Sequence, residues 1–387
     1  MSDQPAGGDP FANVPLFREI QRLLTSSSGP VNWELARQVG VATAVSVAPD
    51  LPLTDEDRTG FVEASRIAEL QIASATGLSV PAEIAAVDVV GRAQWVESSI
   101  TDLRDLVEPA SARVSDGFLQ MQPEVPEGTE AGPLAAGFDQ VIPLLLGMQA
   151  GAVFGTMAQQ VFGRYDIAMP RPGPSRLQFV VPNIAAFEHD WSLPPAEFRQ
   201  WIALHEVAHR FEFAQPWVRE HLLGLVRDFM STLEVDVSGL QQQLEQLDPM
   251  GNPESLQGFL QGGDGLFGAI LDDEQRLKLH RIQSFMAAAE GYGDHVMHAV
   301  GRTMLSVSSQ IEEAMRRYRE DEHGDPVFER LLGIEMRREH YALGRDFCDV
   351  VAETASETVL ATMWNSPDAL PSMPELQEPL LWMARTA

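Results

Sequence analysis

The chain has 387 residues, 44% of them hydrophobic and 21% charged, which is the composition of a folded protein with one large or two ordinary domains. Its formal net charge of −29 argues against nucleic acid and anionic membranes as partners, because both require a basic surface. Cys348 is the one cysteine, which excludes disulfides within the chain and a cysteine-rich zinc module. For Cys348 itself, a small buried apolar role is favoured over a nucleophile.

The first residues, 1–15, read as a disordered tail. They contain no basic segment followed by an apolar run, so no signal peptide is predicted and a cytoplasmic location is expected. Thr54 is predicted to cap a helix that ends at Gly77, and Ser79 with Pro81 is predicted to open a second helix. The proline-containing acidic stretch 115–132 is predicted to be a loop.

No residue between Gln140 and Gly163 is charged, and Gly147, Gly151 and Gly155 are spaced as in closely packed membrane helices. A prolyl residue and several glutamines would lie at membrane depth, so a buried core helix is favoured over a membrane span. The sequence RLQFVVPN (176–183) is the only convincing strand.

Helices are then predicted from Ser192 onward, from about Asp272 to Val300, and over roughly Arg337–Trp364, with a glycine-rich interruption at 251–268. The fold is therefore expected to be mainly α, with a small β element. The expected division is the tail, an N-terminal helical part (16–115) and a catalytic part (133–387), or else one continuous domain over 16–387.

The sequence HEVAH (205–209) contains the HExxH motif. Residues four apart lie on one face of a helix, so His205 and His209 can reach the same cation. Neutral imidazole is a good zinc ligand, and Glu206 between the two can take a proton from an activated water and pass it to a leaving group. Arg210 is less usual here, because a cation close to the metal opposes it.

Catalytic zinc usually has three protein ligands, so one more is required. Residues 212 and 215 are Glu and Gln, which excludes the three-histidine variant of the motif. Glu212 follows the histidine face poorly. The candidates are Glu212, Glu220, Glu234, Glu290, His295 and His298.

Glu290 is favoured, because its helix is rich in small residues and would allow close approach of the backbone. Asp294 lies one turn later and is predicted to accept the free N–H of a ligating histidine. His298 shares this face and could replace either residue, although core or surface roles are favoured for His295 and His298.

These residues resemble the gluzincin branch of zincin metallopeptidases, through HEVAH and the later ExxxD. The chain is most similar to an uncharacterised bacterial family of zincin-like hydrolases, with likeness from about residue 140 onward. The resemblance implies a mostly helical catalytic unit, zinc at His205 and His209, and Glu290 as third ligand. The matching segments are FGRYDIAMP (162–170), FVVPNI (179–184), LHEVAH (204–209), AEGYGD (289–294) and LGIEMRREHYALGRDFCDVV (332–351).

The expected function is a zinc-dependent hydrolase of peptide or other small amide substrates, with one Zn²⁺ per chain. Candidates for stabilising the oxyanion are Tyr165, Tyr292, Tyr341 and Arg345. An alternative is a non-catalytic, metal-stabilised helical interaction protein, which would have no need of Glu206 as a base. A membrane-embedded protease depends on the uncharged helix and is disfavoured with it.

Overall fold

The computed structural model describes residues 29–50, 52–120, 135–232, 273–320 and 338–386. The fold is mainly α. In chain order the elements are α1 (Trp33–Ala44), α2 (Asp55–Thr76), β1 (Ala86–Val90), α3 (Arg92–Gln120), α4 (Ala135–Ala158), β2 (Arg176–Val180), α5 (Val181–Asp190), α6 (Pro195–Phe213), α7 (Pro216–Thr232), α8 (Asp273–Met304), α9 (Ser308–Glu320), α10 (Arg338–Thr354), α11 (Glu357–Ala361), the 3₁₀ turns Thr362–Trp364 and Pro367–Ala369, α12 (Met373–Gln377) and α13 (Pro379–Thr386).

The glycines of α4 form a close helix crossing with α1. A Cβ on Gly147 would lie 2.5 Å from the carbonyl oxygen of Asn32, and one on Gly151 would lie 2.5 Å from that of Ala36. The prediction of a closely packed helix is therefore confirmed, and its glycines serve contact with a neighbouring helix. Among the described helices, none combines the length and apolar character needed to cross a bilayer.

The ends of α2 are those predicted from the sequence. Thr54 and Asp57 form a reciprocal capping box, and Gly77 ends the helix in the left-handed region at φ 71°. Such a conformation is cheap for glycine because it has no Cβ. The side chains of Ile67 and Leu70 on this helix are exposed to solvent.

The predicted helix opening at Ser79 and Pro81 is wrong in its first part. Residues 86–90 form β1, which pairs in parallel with β2, Val90 opposite Val180. The strand predicted at 176–183 is confirmed up to Val180, where the chain turns directly into α5. Within the described residues the sheet has these two strands.

Two further boundaries differ from the prediction. The segment expected to be a loop from residue 115 is helical as far as Gln120, and residues 121–132 lie outside the described part. The last long helix ends at Thr354, and Ser356 caps a new short helix by accepting from the N–H of Val359. The helix predicted from about Asp272 is confirmed as α8.

Helix α6 lies at the centre of the molecule, packed between α2 and α8. One hydrophobic core extends from Val31 to Trp382. The division into a part at 16–115 and a part at 133–387 stays a prediction. The proposed tail (1–15) and the glycine-rich interruption (251–268) lie outside the described residues.

Candidate metal centre and active site

His205 and His209 project from the same face of α6, as their spacing predicts. Their rings meet edge to face, with centroids 4.6 Å apart and an interplanar angle of 87°. Both side chains are buried. The local sequence supports this placement, because Pro194 and Pro195 start the helix and the apolar residues around the motif are buried in the core.

Glu206 is fully buried beneath a turn that precedes β2. Its Oε2 accepts from the backbone N–H of Arg164 at 3.0 Å, and its Oε1 accepts from that of Tyr165 at 2.8 Å. A Cβ on Gly163 would overlap this carboxylate, so glycine is required for the close approach. Burial, followed by the charge of Asp166, raises the pKa of Glu206 to about 8.

The ring of His209 is held on three sides. Its Nδ1 lies 2.8 Å from Oε2 of Glu212, and the ring of Phe213 stacks on it at a centroid distance of 5.6 Å. On the α8 side, a Cβ on Gly293 would lie 2.9 Å from Cε1 and 3.2 Å from Nε2 of His209. A proton shared between Nδ1 and Glu212 leaves Nε2 with the lone pair that a metal ligand requires.

Glu212 thus holds His209 through Nδ1, whereas in the sequence it is a candidate only for direct metal binding. The carboxylate is fully buried, and burial together with the charge of Asp294 raises the pKa of Glu212 well above its usual range. Glu212 thus makes, at Nδ1 of His209, a contact of the kind that is predicted for Asp294. The role of Asp294 at a ligating histidine stays a prediction.

Asp166 also lies near His205, and the sequence did not predict it as a residue of the site. Its Oδ2 accepts from the backbone N–H groups of Phe162 and Gly163, both at 2.5 Å, and its Oδ1 lies 3.9 Å from Nε2 of His205. The one indication in the sequence is its place in FGRYD (162–166), in which Tyr165 is the residue proposed for the site.

Glu290 precedes Gly293 by one turn of α8, and Asp294 follows it directly; both are half-buried. Helical spacing places Glu290 on the face of Gly293, which approaches His209. Asp294 lies near enough to Glu212 for its charge to raise the pKa of that carboxyl group. Within the described part of the chain, no group of three His, Cys, Asp or Glu side chains converges as a metal site. The assignment of Glu290 as third ligand stays a prediction.

The chain is similar to known proteins over most of its length. A family model described as a zincin-like metallopeptidase matches residues 31–383. The chain belongs to this family. A crystal structure from Chloroflexus aurantiacus, described as a candidate hydrolase with a novel fold, is 29% identical with a TM-score of 0.62; the match covers 92% of this chain and 98% of that one. No curated protein matches the chain.

The donor chemistry of this family member fits zinc. Two imidazoles lie on one helix face, Glu212 is in place to set the tautomer of His209, and the absence of a Cβ at Gly293 leaves space beside Nε2 of His209. Arg210 does not oppose a cation here, because its guanidinium points away. It donates from Nε to Oγ of Ser175 at 2.8 Å and also contacts Glu69 and the carbonyl oxygen of Glu83.

Two of the other ligand candidates, Glu220 and His298, make contacts away from the two histidines. Glu220 is on the surface of α7 beside Arg219, with 69% of its side chain exposed, and Glu234 lies outside the described residues. His298 packs edge-on against Trp201, and its Nδ1 lies 2.6 Å from the carbonyl oxygen of Asp294.

Among the oxyanion candidates, Tyr165 has its ring against His209, with centroids 6.3 Å apart. Tyr292 is buried against Trp364, and Arg345 lies 3.8 Å from Asp349. Tyr341 is half-buried on α10. Cys348 is buried, and burial raises the pKa of its thiol well above the usual range, in keeping with an apolar role.

His295 joins α8 to α10 and α11. Its Nδ1 lies 2.6 Å from Oδ1 of Asp349, and its Nε2 lies 3.0 Å from Oε1 of Glu357. Burial lowers the pKa of His295, but the hydrogen bonds and charges of Glu357 and Asp349 outweigh burial, so the net shift is upward. Both ring nitrogens are therefore used in joining helices.

This upward shift predicts a pH-dependent contribution to stability. A raised folded-state pKa stabilises the protein fully below the unfolded value of about 6.5, and the contribution is lost as the pH rises through the folded-state pKa. His295→Gln should therefore lower the melting temperature more at pH 5.5 than at pH 9.5. The difference should be small, about 1–2 °C, because both carboxylates are partly exposed.

His221 on α7 provides the control for thermal melts at the two pH values. Burial lowers its pKa, so its neutral form is favoured in the folded protein. The effect of His221→Gln should therefore grow as the pH rises. The same pH trend for both variants would contradict the assignment of a charged His295.

Proposed function

We propose that the chain is a zinc-dependent hydrolase of peptide or other amide bonds, with His205 and His209 as zinc ligands and Glu206 as general base. The observation that carries the proposal is the arrangement on α6. Two edge-to-face imidazoles flank a buried carboxylate that the turn at 163–165 holds in place. The chain's membership of a family described as zincin-like metallopeptidases also supports the proposal.

Zinc, when bound, polarises the substrate carbonyl and makes water a stronger nucleophile near neutral pH. Groups of the chain itself transfer the proton. Glu206 accepts a proton on its carboxylate and donates it to the leaving amine. The backbone N–H groups of Arg164 and Tyr165 fix that carboxylate, so little reorganisation is needed when it gains or loses a proton.

Three further residues have proposed roles beside the two histidines. Glu212 fixes the ring of His209 through Nδ1, and contacts of this kind raise the basicity of a metal-binding imidazole. Glu290 is the proposed third ligand, because α8 already approaches His209 at Gly293. Tyr165 is the proposed donor to the oxyanion, because its ring lies against His209.

Metal analysis tests the proposal directly. Protein purified without chelator and then loaded with zinc should hold about one ion per chain, because an HExxH site with a third ligand binds a single zinc. The His205→Ala/His209→Ala variant should lose it. His221→Ala, which removes a half-buried histidine on the neighbouring helix α7, should retain it.

Mass spectrometry of the native protein and a competition titration with a chromophoric chelator give the stoichiometry and the affinity. Near-zero zinc in the loaded wild type, or equal zinc in the double variant, would reject the proposal. Zinc binding without turnover on a broad peptide and amide library would instead favour the metal-stabilised interaction protein.

A further inference from the structure

Asp166 has one carboxylate oxygen committed to the local backbone and the other directed at the histidines. Oδ2 accepts from the N–H groups of Phe162 and Gly163, which closes the turn that also holds Glu206. Oδ1 lies 3.9 Å from Nε2 of His205. The hydrogen bonds of Oδ2 are sufficient to close the turn, so Oδ1 is not needed for the structure of the turn.

The separation between Oδ1 and Nε2 is close to that of two ligands on one ion. Zinc bonds to imidazole nitrogen and carboxylate oxygen are about 2.0–2.2 Å long, so two such ligands at a tetrahedral angle lie about 3.4 Å apart. A shift of about 0.5 Å would bring Asp166 and His205 to this separation, within what a partly exposed side chain can supply by small torsional changes.

Asp166 is more exposed to solvent than the other carboxylates beside the histidines. The side chain of Asp166 is 21% exposed, whereas Glu206 and Glu212 are fully buried. Glu206 is occupied by two backbone N–H groups, and Glu212 faces Nδ1 of His209 on the side away from Nε2. Asp166 is thus the carboxylate of these three that faces the metal-binding nitrogen of a histidine.

We propose that Asp166 is a carboxylate ligand, through Oδ1, of the same divalent ion as His205. The inference rests on the proposed function, because it assumes the ion at the two histidines. With Glu290 as the other carboxylate, the chain provides four donors, and zinc can expand to five-coordination with one further ligand. The turn at 162–166 then holds the general base with its backbone and the ion with its aspartate.

Asp166→Asn isolates this role. The asparagine Oδ1 can still accept from the N–H groups of Phe162 and Gly163, so the turn is kept, while its uncharged NH₂ group faces His205. Zinc affinity, measured by chelator competition, should fall by more than about 100-fold, which exceeds the usual loss from a residue that only orients a ligand. The visible spectrum of the cobalt-substituted protein should also change, since the spectrum reports the ligand set.

Asp88→Asn is the matched control. Asp88 is a similarly half-buried aspartate, with 28% of its side chain exposed, and its ion-pair partner is Arg176 at 3.3 Å. This variant should bind zinc as the wild type does. An Asp166→Asn protein with wild-type zinc affinity would overturn the inference, and so would a smaller loss with an unchanged cobalt spectrum.

The His205→Ala/His209→Ala variant in the same titration separates the two proposals. If this double variant loses zinc and Asp166→Asn does not, the aspartate assignment alone fails. If neither variant changes the affinity, the metal site of the proposed function fails as well.

Discussion

Glu206→Gln should lower the turnover of a zinc-loaded enzyme by about 10²–10⁴-fold, the usual contribution of a general base. Glutamine keeps the length of the side chain and its helix preference but cannot accept the proton. Zinc content should not change, because the proposed ligands are other residues. The measurement is turnover on a broad peptide and amide library, established first for the wild type, with zinc determined for each preparation.

The hydrogen bonds of Glu206 add a stability effect that the motif alone does not predict. Each carboxylate oxygen accepts one backbone N–H, from Tyr165 and from Arg164. A glutamine would point its NH₂ group at one of these donors and leave that donor without an acceptor. An unsatisfied buried donor costs about 1–3 kcal/mol, so a lower melting temperature should accompany the loss of activity.

This stability effect makes the choice of assay conditions important. Turnover should be compared at a temperature where both proteins are folded, as shown by circular dichroism. Chelator-sensitive turnover that survives the substitution undiminished would show that another group takes the proton.

The parts of the site that follow from local sequence were predictable. Helix α6 and the shared face of His205 and His209 follow from helical periodicity and the preceding prolines. The ends of α2 follow from Thr54 and Gly77, because capping depends on residues close in sequence.

Strand β1 was missed because it depends on a distant partner. The apolar residues of 84–90 fit a helical spacing as well as a strand. The strand forms because these residues pair with β2, 90 residues later in the chain. Short apolar runs carry this ambiguity in general. The parallel pair then matters for the site, because the bridge between Gly163 and Phe179 fixes the turn above Glu206 to β2.

The roles of the carboxylates around the histidines could not be predicted from the sequence for a different reason. In the sequence, Glu212 follows the face of His205 and His209 poorly, but its contact is with Nδ1 of His209, on the side of the ring away from Nε2. Asp166 approaches His205 from a turn about 40 residues earlier. In both cases the sequence contains the residue types, while the contact depends on ring orientation and chain packing.

Gly344→Ala should produce the largest loss of stability among the substitutions considered. Helices α8 and α10 cross with their backbones in contact at Gly291 and Gly344. A Cβ on Gly344 would overlap the carbonyl oxygen of Ala287, and one on Gly291 would overlap the backbone of Gly344. Because backbone atoms cannot rotate away, the helices must separate.

Separation of the two helices opens the core around buried residues of both, including Tyr292 on α8 and Phe347 on α10. Overpacking usually costs about 1–3 kcal/mol, and a contact with backbone should lie at or above the upper end of that range. Thermal or denaturant unfolding measures the loss. Zinc affinity should also fall, since α8 carries the proposed ligand Glu290 and approaches His209 at Gly293.

Gly224→Ala is the matched control, because Gly224 lies inside α7 and a Cβ there would meet no atom within 4 Å. Alanine is favoured over glycine in a helix interior by about 0.8–1.0 kcal/mol, so this variant should be as stable as the wild type or more so. A Gly344→Ala protein with wild-type stability would mean that the crossing can widen at no cost. The close approach of α8 to α10 would then not be what holds Gly293 against His209.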